Sequence, residues 1–221
     1  ELAVVTIDNP PVNATSQAVR AGLLEAINRA VADDSRALVL CCAGRTFIAG
    51  ADITEFGKPP LAPALPDVLD ALEVLPKPVI VAIHGSALGG GLEAAMAGHY
   101  RIADARAKLG LPEVKLGLLP GAGGTRRAPR LMGVKPSLDL MTGGAPISAE
   151  AARASGLVDR VTQDALLPAA LAYARELLAA GATPRPTAAI VPMLDGIDTA
   201  WFAAEKTALR KSARGRTAPQ R

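Results

Sequence analysis

VIVAIHGSALGGGLE, residues 79–93, carries the strongest structural signal in this sequence. Its first five residues are β-branched or small and apolar, which predicts a buried β-strand. Three consecutive glycines, Gly89, Gly90 and Gly91, predict a tight turn into a helix over about residues 92–97, because glycine tolerates backbone angles that other residues avoid. A buried strand joined to a helix in so few residues is typical of an α/β fold.

The same alternation of strands and helices extends to both sides of this stretch. Apolar, β-branched runs predict further strands at residues 2–7, 37–42, 100–103, 108–109 and 157–161. Apolar residues at helical spacing predict helices at about residues 16–32, 66–75, 136–142, 149–155 and 164–180. These elements predict one core over residues 1–182, followed by a helical segment and a linker-like tail over residues 183–221.

Composition limits the classes of function. The 221 residues are 50% hydrophobic but include only one Trp, two Tyr and three Phe, and the net charge is +3. So weak a charge with so few aromatics does not predict nucleic-acid binding. No apolar run reaches the length of a membrane span, so no membrane association is expected. The adjacent Cys41 and Cys42 lack metal-ligand spacing and predict reduced thiols in a cytoplasmic protein.

The glycines before Glu93 predict a site for a negatively charged oxygen. Without side chains, Gly89 to Gly91 leave backbone N–H groups open at the start of a helix. Glu93 falls in the first turn of that helix, where the helix dipole favours a carboxylate. The same residues also fit a plain strand-to-helix turn with an ordinary first-turn acid.

Glu113 is a second candidate carboxylate, because it lies in an apolar stretch where burial would raise its pKa. A salt bridge to Lys108 or Lys115 is the alternative interpretation of this acid. Two carboxylates beside backbone N–H donors suit the addition of water to an activated double bond. One carboxylate activates the water, the other supplies a proton, and the N–H groups stabilise the enolate oxygen.

The glycine-containing stretches of this sequence do not match three other common glycine motifs. A phosphate-binding loop needs a Gly-Lys-Ser/Thr ending, and Gly57-Lys58 is followed by Pro59. The run at 121–125, GAGGT, lacks the last glycine of a dinucleotide fingerprint. Ser86 directly follows Gly85, so a nucleophile elbow is not formed either.

Five stretches, in this order and spacing, resemble the crotonase superfamily of enoyl-CoA hydratases and isomerases: GRTFIAGADI (44–53), IHGSALGGGLE (83–93), RIA (101–103), GLPEVKLGLL (110–119) and PGAGGTR (120–126). The resemblance covers about residues 4–161. It implies an α/β fold of the ClpP/crotonase type, a spiral of ββα units with a helical C-terminal part. It also implies acyl-CoA thioesters as substrates.

Matched position by position, the resemblance implies roles for four residues. The backbone N–H groups of Ala51 and Gly90 would form the oxyanion hole for the thioester carbonyl. Glu93 would activate water for attack at C3, and Glu113 would handle the proton at C2. Isomerases of the family typically keep only the second glutamate, so the pair favours a hydratase. A Δ3,Δ2-enoyl-CoA isomerase, alone or as a second activity, and a non-catalytic CoA-binding relative remain the alternatives.

The resemblance also implies contacts to the rest of the substrate, by Val12, Ala14, Ala49, Ile53, Gly89, Pro120 and Gly121. Coenzyme A is part of that substrate. No separate cofactor and no metal are implied, because backbone dipoles polarise the carbonyl.

A finer resemblance is to the N-terminal hydratase half of bifunctional β-oxidation enzymes, in which a 3-hydroxyacyl-CoA dehydrogenase follows. The segments 9–13 (NPPVN), 56–60 (FGKPP) and 99–101 (HYR) are similar to that branch. The chain is therefore expected to be a hydratase half joined covalently to a dehydrogenase half, with a basic linker at its end. Single-function relatives imply the other expected assembly, a homotrimer or hexamer. His99 replaces an acid that many family members have, and Arg127-Ala128 replaces Arg-Leu.

Overall fold

The computed structural model describes residues 1–192, 194 and 196–212. Its strands are β1 (Leu2–Ile7), β2 (Ala37–Cys42), β3 (Val79–Ile83), β4 (Ser86–Leu88), β5 (Tyr100–Asp104), β6 (Lys108–Gly110), β7 (Ile147–Ser148) and β8 (Arg160–Thr162). Its α-helices are α1 (Gln17–Ala32), α2 (Leu65–Glu73), α3 (Gly90–Ala97), α4 (Gly124–Met132), α5 (Val134–Gly143), α6 (Ala149–Ala154), α7 (Leu166–Ala179) and α8 (Thr199–Ser212). Three short 3₁₀ helices occupy Ile53–Glu55, Pro112–Leu116 and Thr187–Ala189.

Two sheets organise these elements. The larger sheet has the order β1-β2-β3-β5-β8, and all its neighbours are parallel. The smaller sheet has the order β4-β6-β7, with β4 and β6 parallel and β7 antiparallel to β6. The predicted α/β class is therefore confirmed. β3 and β4 belong to different sheets although only two residues separate them, so the chain changes sheets just before the glycines.

The central strand β3 is buried on both faces, as its continuous apolar sequence predicts. Val79, Val81 and Ile83 belong to the larger cluster of core side chains. Ile80 and Ala82 belong to a second cluster on the opposite face, which α7 covers. The core is built almost entirely from aliphatic residues, as the composition indicates.

Helix α3 is buried over its whole length and needs glycine where it meets its neighbours. A Cβ atom at Gly91 would lie 2.2 Å from the carbonyl oxygen of Ile48, and one at Gly98 would lie 2.3 Å from Cγ2 of Val81. A side chain at either position would push α3 away from the core. Glycine at these two positions therefore determines how closely α3, and with it Glu93, packs against the core.

Several element boundaries follow local sequence signals. Ser16 caps α1, its hydroxyl accepting a hydrogen bond from the N–H of Val19, as the sequence predicts. The strand expected at residues 157–161 is instead β8, Arg160–Thr162. Leu157 and Val158 are buried, but in the turn before the strand, so their apolar side chains produced a strand-like pattern without a strand.

The sequence prediction missed β4 and β7, and it expected β3 to pass directly into the glycine turn. Both strands are only two or three residues long and gain their hydrogen bonds from β6. Short strands of this kind depend on tertiary pairing, which local sequence does not encode.

Beyond residue 182 the chain continues to pack on the core. The Thr187 hydroxyl donates to the carbonyl of Met96 at 3.0 Å, and the Ala188 N–H donates to Glu73 Oε1 at 2.9 Å. The core boundary at 182 stays a prediction. The helix expected after residue 201 is α8, whereas the tail predicted for residues 213–221 lies outside the described residues. In the described part of the chain, no helix is long and apolar enough to cross a membrane.

Candidate active site

Glu93 is held in the first turn of α3 by the glycine-rich loop that precedes α4. Its side chain is buried, with only 2% of the residue exposed. Its Oε1 atom accepts hydrogen bonds from the N–H groups of Ala122 and Gly124, both at 2.7 Å. A Cβ atom at Gly124 would lie 3.0 Å from this oxygen, so glycine lets the loop approach. Two peptide donors on one oxygen stabilise the carboxylate form.

Opposing influences set the protonation of Glu93. Burial raises its pKa above the usual range, because the charged form loses its hydration. The N–H groups of Gly124 and Ala122 and the positive charge of Arg127 act in the opposite direction, and the net pKa is raised. Oε1 is taken by the two peptide donors, so Oε2 is the oxygen left to bind water.

Glu113 lies in the 3₁₀ helix Pro112–Leu116 that follows β6, with its carboxyl group beside the glycine turn. A Cβ atom at Gly89 would lie 3.2 Å from Glu113 Oε1, so the positive-φ glycine makes room for the acid. Oε2 is buried and has no hydrogen-bond partner among the described residues. Burial raises the pKa of Glu113, and the nearby charge of Glu93 raises it further.

The alternative salt bridge of Glu113 to Lys108 or Lys115 is not formed among the described residues: Oε2 has no partner, and neither lysine contributes to the raised pKa. The two candidate carboxyl groups therefore have contrasting surroundings. Oε1 of Glu93 accepts from two peptide N–H groups, whereas Oε2 of Glu113 has no partner among the described residues. Two carboxyl groups in different surroundings are typical of sites that use one as a base and the other as an acid.

Residues 47–51 run beside β4 and bring Ala51 to the start of α3. The Phe47 N–H donates to the carbonyl of His84 at 2.8 Å, and the Leu88 N–H donates to that of Ile48 at 3.0 Å. Gly90 is the first residue of α3, where an N–H group has no acceptor within the helix. Ala51 and Gly90 line the same cavity, and the role of their N–H groups as an oxyanion hole stays a prediction.

A cavity of about 360 Å³ joins these groups. Eight of the eleven residues that the sequence assigned to the site line it: Ala49, Ala51, Ile53, Gly89, Gly90, Glu93, Glu113 and Gly121. Val12, Ala14 and Pro120 are not part of the lining. Val12 instead supports it, because its carbonyl accepts the Ala49 N–H at 3.1 Å. Pro120 is buried against Gly124, behind the loop that holds Glu93.

The rest of the cavity wall is apolar, and the sequence did not assign it. Phe56, Leu65, Pro66 and Leu119 line it together with Leu116 and Leu118. Leu119 is 78% exposed and Leu116 is 68% exposed, unusual values for large apolar side chains. The three leucines within residues 116–119 were a signal that could have been used, since exposed apolar residues mark binding surfaces. The wall suits a long apolar ligand.

Two further charged residues near the site have structural roles. Asp52 caps the 3₁₀ helix Ile53–Glu55 by accepting the N–H of Thr54 at 2.9 Å. Arg126 lies at the surface, where it forms an ion pair with Asp70 at 2.6 Å. Neither lines the cavity with Glu93 and Glu113.

Replacing Glu113 by glutamine is expected to stabilise the fold at alkaline pH. The folded-state pKa of Glu113 is raised, so ionisation destabilises the protein as the pH rises through that pKa. Glutamine stays neutral and avoids this cost. We expect Glu113→Gln to melt a few degrees above wild type, since about 1 kcal/mol shifts Tm by about 2–4 °C in a domain of this size. The difference should disappear in acid, where the wild-type carboxyl is protonated. Thermal melts at several pH values measure this, and a lower Tm at alkaline pH would contradict it.

Comparison with known proteins agrees with this geometry. The model of the enoyl-CoA hydratase/isomerase family matches residues 1–191. The peroxisomal bifunctional enzyme of Danio rerio is 44% identical over 223 residues, which cover 99% of this chain and 30% of that protein. A probable enoyl-CoA hydratase of Bacillus subtilis (strain 168) is 44% identical over 171 residues, or 74% of this chain and 66% of that protein.

Comparison with solved structures indicates the same family. The crystal structure of an enoyl-CoA hydratase from Bacillus anthracis superposes with a TM-score of 0.73 at 36% identity, covering 79% of this chain and 72% of that one. The crotonase-type fold expected from the sequence motifs is thereby confirmed. This chain spans less than a third of the bifunctional relative, 30% of its length. A family match over 191 residues, with the same fold and both glutamates in one cavity, shows that the chain belongs to the enoyl-CoA hydratase/isomerase family.

Proposed function

We propose that this chain adds water across the 2,3 double bond of trans-2-enoyl-CoA thioesters, the hydration step of fatty-acid β-oxidation. One observation carries the proposal. Glu93 and Glu113 line one cavity, and one of them is held by two peptide N–H groups while the other has a buried oxygen without a partner. Hydration needs such a base and such an acid at the same time.

Each group has one step in the proposed reaction. The N–H groups of Ala51 and Gly90 donate hydrogen bonds to the thioester oxygen and stabilise the negative charge that develops on it. Water bound to Glu93 gives a proton to that carboxylate as its oxygen forms a bond to C3. The π electrons of the double bond move to the thioester enolate, which then takes the proton of Glu113 at C2. The product is a 3-hydroxyacyl-CoA. The acyl chain lies against the apolar wall of the cavity.

Isomerisation of Δ3-enoyl-CoA to Δ2-enoyl-CoA is the second candidate, and Glu113 favours it. Its Oε1 atom lies beside the glycine turn and its Oε2 atom has no partner among the described residues, so the carboxyl group can remove a proton at C2 and return one at C4 without water. A non-catalytic CoA-binding protein would have no use for two buried carboxyl groups. Burying them costs stability, which argues that they serve chemistry.

The proposal also covers coenzyme A, the cellular compartment and the protein partners. Coenzyme A enters as part of the substrate, and the cytoplasm stays the predicted compartment. The Danio rerio relative is named a peroxisomal bifunctional enzyme, which supports a fused dehydrogenase half as the covalent partner. A homotrimer or hexamer is the other predicted assembly.

Product analysis tests the proposed activity. The protein is incubated separately with crotonyl-CoA and with trans-3-hexenoyl-CoA, and the products are identified by chromatography and mass spectrometry. Hydratase activity is expected to convert the first substrate to a product heavier by one water molecule. An isomerase without hydratase activity would leave crotonyl-CoA unchanged and convert the second substrate to an isomer of equal mass. Failure to convert either substrate would contradict both activities.

A further inference from the structure

Arg127 is buried completely, although it is an arginine on a helix next to the site. It lies one turn into α4 and makes no contact with the cavity. Its guanidinium group passes beside Gly123, where a Cβ atom would lie 2.3 Å from Nη1. Gly123 also has a positive φ of 100°, so the loop can adopt this shape only with glycine at that position. The loop before α4 therefore has the shape that leaves room for the Arg127 guanidinium group.

Hydrogen bonds connect Arg127 to the carboxylate of Glu93 through a single residue, Ala122. Nη1 donates to the carbonyl oxygen of Ala122 at 2.7 Å. The N–H group of the same Ala122 residue donates to Glu93 Oε1, also at 2.7 Å. Arg127 thus fixes one side of the residue whose other side holds Glu93.

The other end of the guanidinium group is anchored on α2. Nε and Nη2 of Arg127 donate to Glu73 Oε2 at 3.0 and 2.7 Å, and both residues are less than 5% exposed. Glu73 Oε1 accepts the N–H of Ala188, and the Glu73 carbonyl accepts Nε2–H of His99 at 3.0 Å. Glu73 is therefore fixed from three sides and serves as a rigid support.

We infer that the Glu73–Arg127 ion pair positions Glu93: it fixes the carbonyl side of Ala122, so that the N–H of the same residue holds the carboxylate in the orientation that binds the attacking water. The inference rests on the proposed hydratase function. Arg127 and Glu73 are positioning residues, since neither touches the cavity. Their effect should fall on the step that uses Glu93 and spare the binding of the thioester.

The neighbouring arginine shows that the arrangement is specific. Arg126 pairs with the same acids, at 2.6 Å from Asp70 and 3.4 Å from Glu73, but it is 45% exposed. Among the described residues, the Arg126 side chain donates to Asp70 and Glu73 and makes no hydrogen bond to the loop that holds Glu93. Arg126 is thus a matched control: it lies on the same helix, has the same charge and partners, and lacks the link to Ala122.

The charges around Glu93 determine the expected pH effect. Arg127 faces it from α4 and lowers its pKa, while Glu113 faces it from the 3₁₀ helix and carries an acid. Behind Arg127 stand Glu73 and Asp70 of α2. Arg126 and His99 complete the surroundings of Glu73. Removing the guanidinium charge therefore raises the pKa of Glu93 further, so more alkaline conditions are needed to ionise it.

The test compares Glu73→Gln/Arg127→Gln with wild type, Arg126→Gln and Arg127→Lys. The double variant removes both buried charges together and leaves an amide oxygen for the Ala188 N–H, so folding is preserved. Glutamine at 127 is too short to reach residue 73 and the Ala122 carbonyl at once. Lysine keeps the charge but not the fork that binds both partners.

Hydration of crotonyl-CoA is followed across pH for all four proteins. We expect kcat of the double variant to fall by about 10²-fold, the scale for a reacting group displaced by about 1 Å. KM should stay close to wild type, and the acid limb of kcat/KM should move to higher pH. Arg127→Lys should lose less kcat and keep its acid limb in place. Arg126→Gln should match wild type.

A double variant with the kcat of Arg126→Gln, or with an unmoved acid limb, would overturn the inference while the hydratase function stands. A wild-type protein without hydratase activity would overturn both. If the double variant does not fold, Arg127→Lys decides alone. A lowered kcat at unchanged KM then supports the positioning role, and a wild-type kcat overturns it.

Discussion

Glu113→Gln is expected to lower kcat for hydration of crotonyl-CoA by about 10²–10⁴-fold, the usual contribution of a general acid or base. Glutamine has nearly the same shape but cannot give a proton to C2, so the enolate forms without being trapped. The oxyanion donors Ala51 and Gly90 are untouched, and KM should change little. Initial rates over a range of substrate concentrations measure both constants.

The control for this substitution is Glu150→Gln, which removes an exposed glutamate in the first turn of α6. It should hydrate at the wild-type rate. Because Glu113→Gln is also expected to be more stable at alkaline pH, a loss of activity could not be attributed to unfolding. Wild-type activity in Glu113→Gln would show that another group protonates C2.

Glu93→Gln is expected to reduce hydration at least as strongly, because the water at C3 loses its base. Isomerisation, if present, should be spared more, since it moves a proton without water. The amide oxygen of glutamine can still accept from the N–H groups of Ala122 and Gly124, so the loop stays in place. The rates with crotonyl-CoA and trans-3-hexenoyl-CoA, measured in parallel, give the ratio of hydration to isomerisation.

The ratio of the two activities is decisive for the assignment. A hydration rate that falls while isomerisation persists would identify Glu93 as the group that activates water. Equal losses of both activities would mean that Glu93 supports the whole site and does not act on water. Hydration at the wild-type rate would remove Glu93 from the mechanism.

Much of the fold follows from local sequence. The apolar run of β3 and the Ser16 cap of α1 are signals within a few residues of the elements they produce. The motifs around Gly90 and Glu113 likewise predicted both carboxyl groups and the glycine turn. These features could be predicted because each is encoded in one short stretch.

What sequence could not predict depends on residues far apart in the chain. The N–H donors to Glu93 come from residues 29 and 31 positions later, and Arg127 meets Glu73 across 54 positions. Strands β4 and β7 form through pairing with β6, and β4 also pairs with Ile48. No local pattern marks such partners. Likewise, nothing in the sequence indicated that Arg127 is the cation whose charge acts on Glu93.

The most direct test of the two-carboxylate account is the pH dependence of hydration by the wild-type protein, followed as loss of crotonyl-CoA absorbance. Burial raises the pKa of both glutamates, while the N–H groups of Gly124 and Ala122 and the charge of Arg127 oppose that rise at Glu93. The account predicts a bell-shaped kcat/KM that falls in acid as Glu93 takes up a proton and in alkali as Glu113 loses its own. Loss of absorbance at a rate independent of pH would contradict the roles of the two glutamates, and no loss at any pH would contradict the hydratase function.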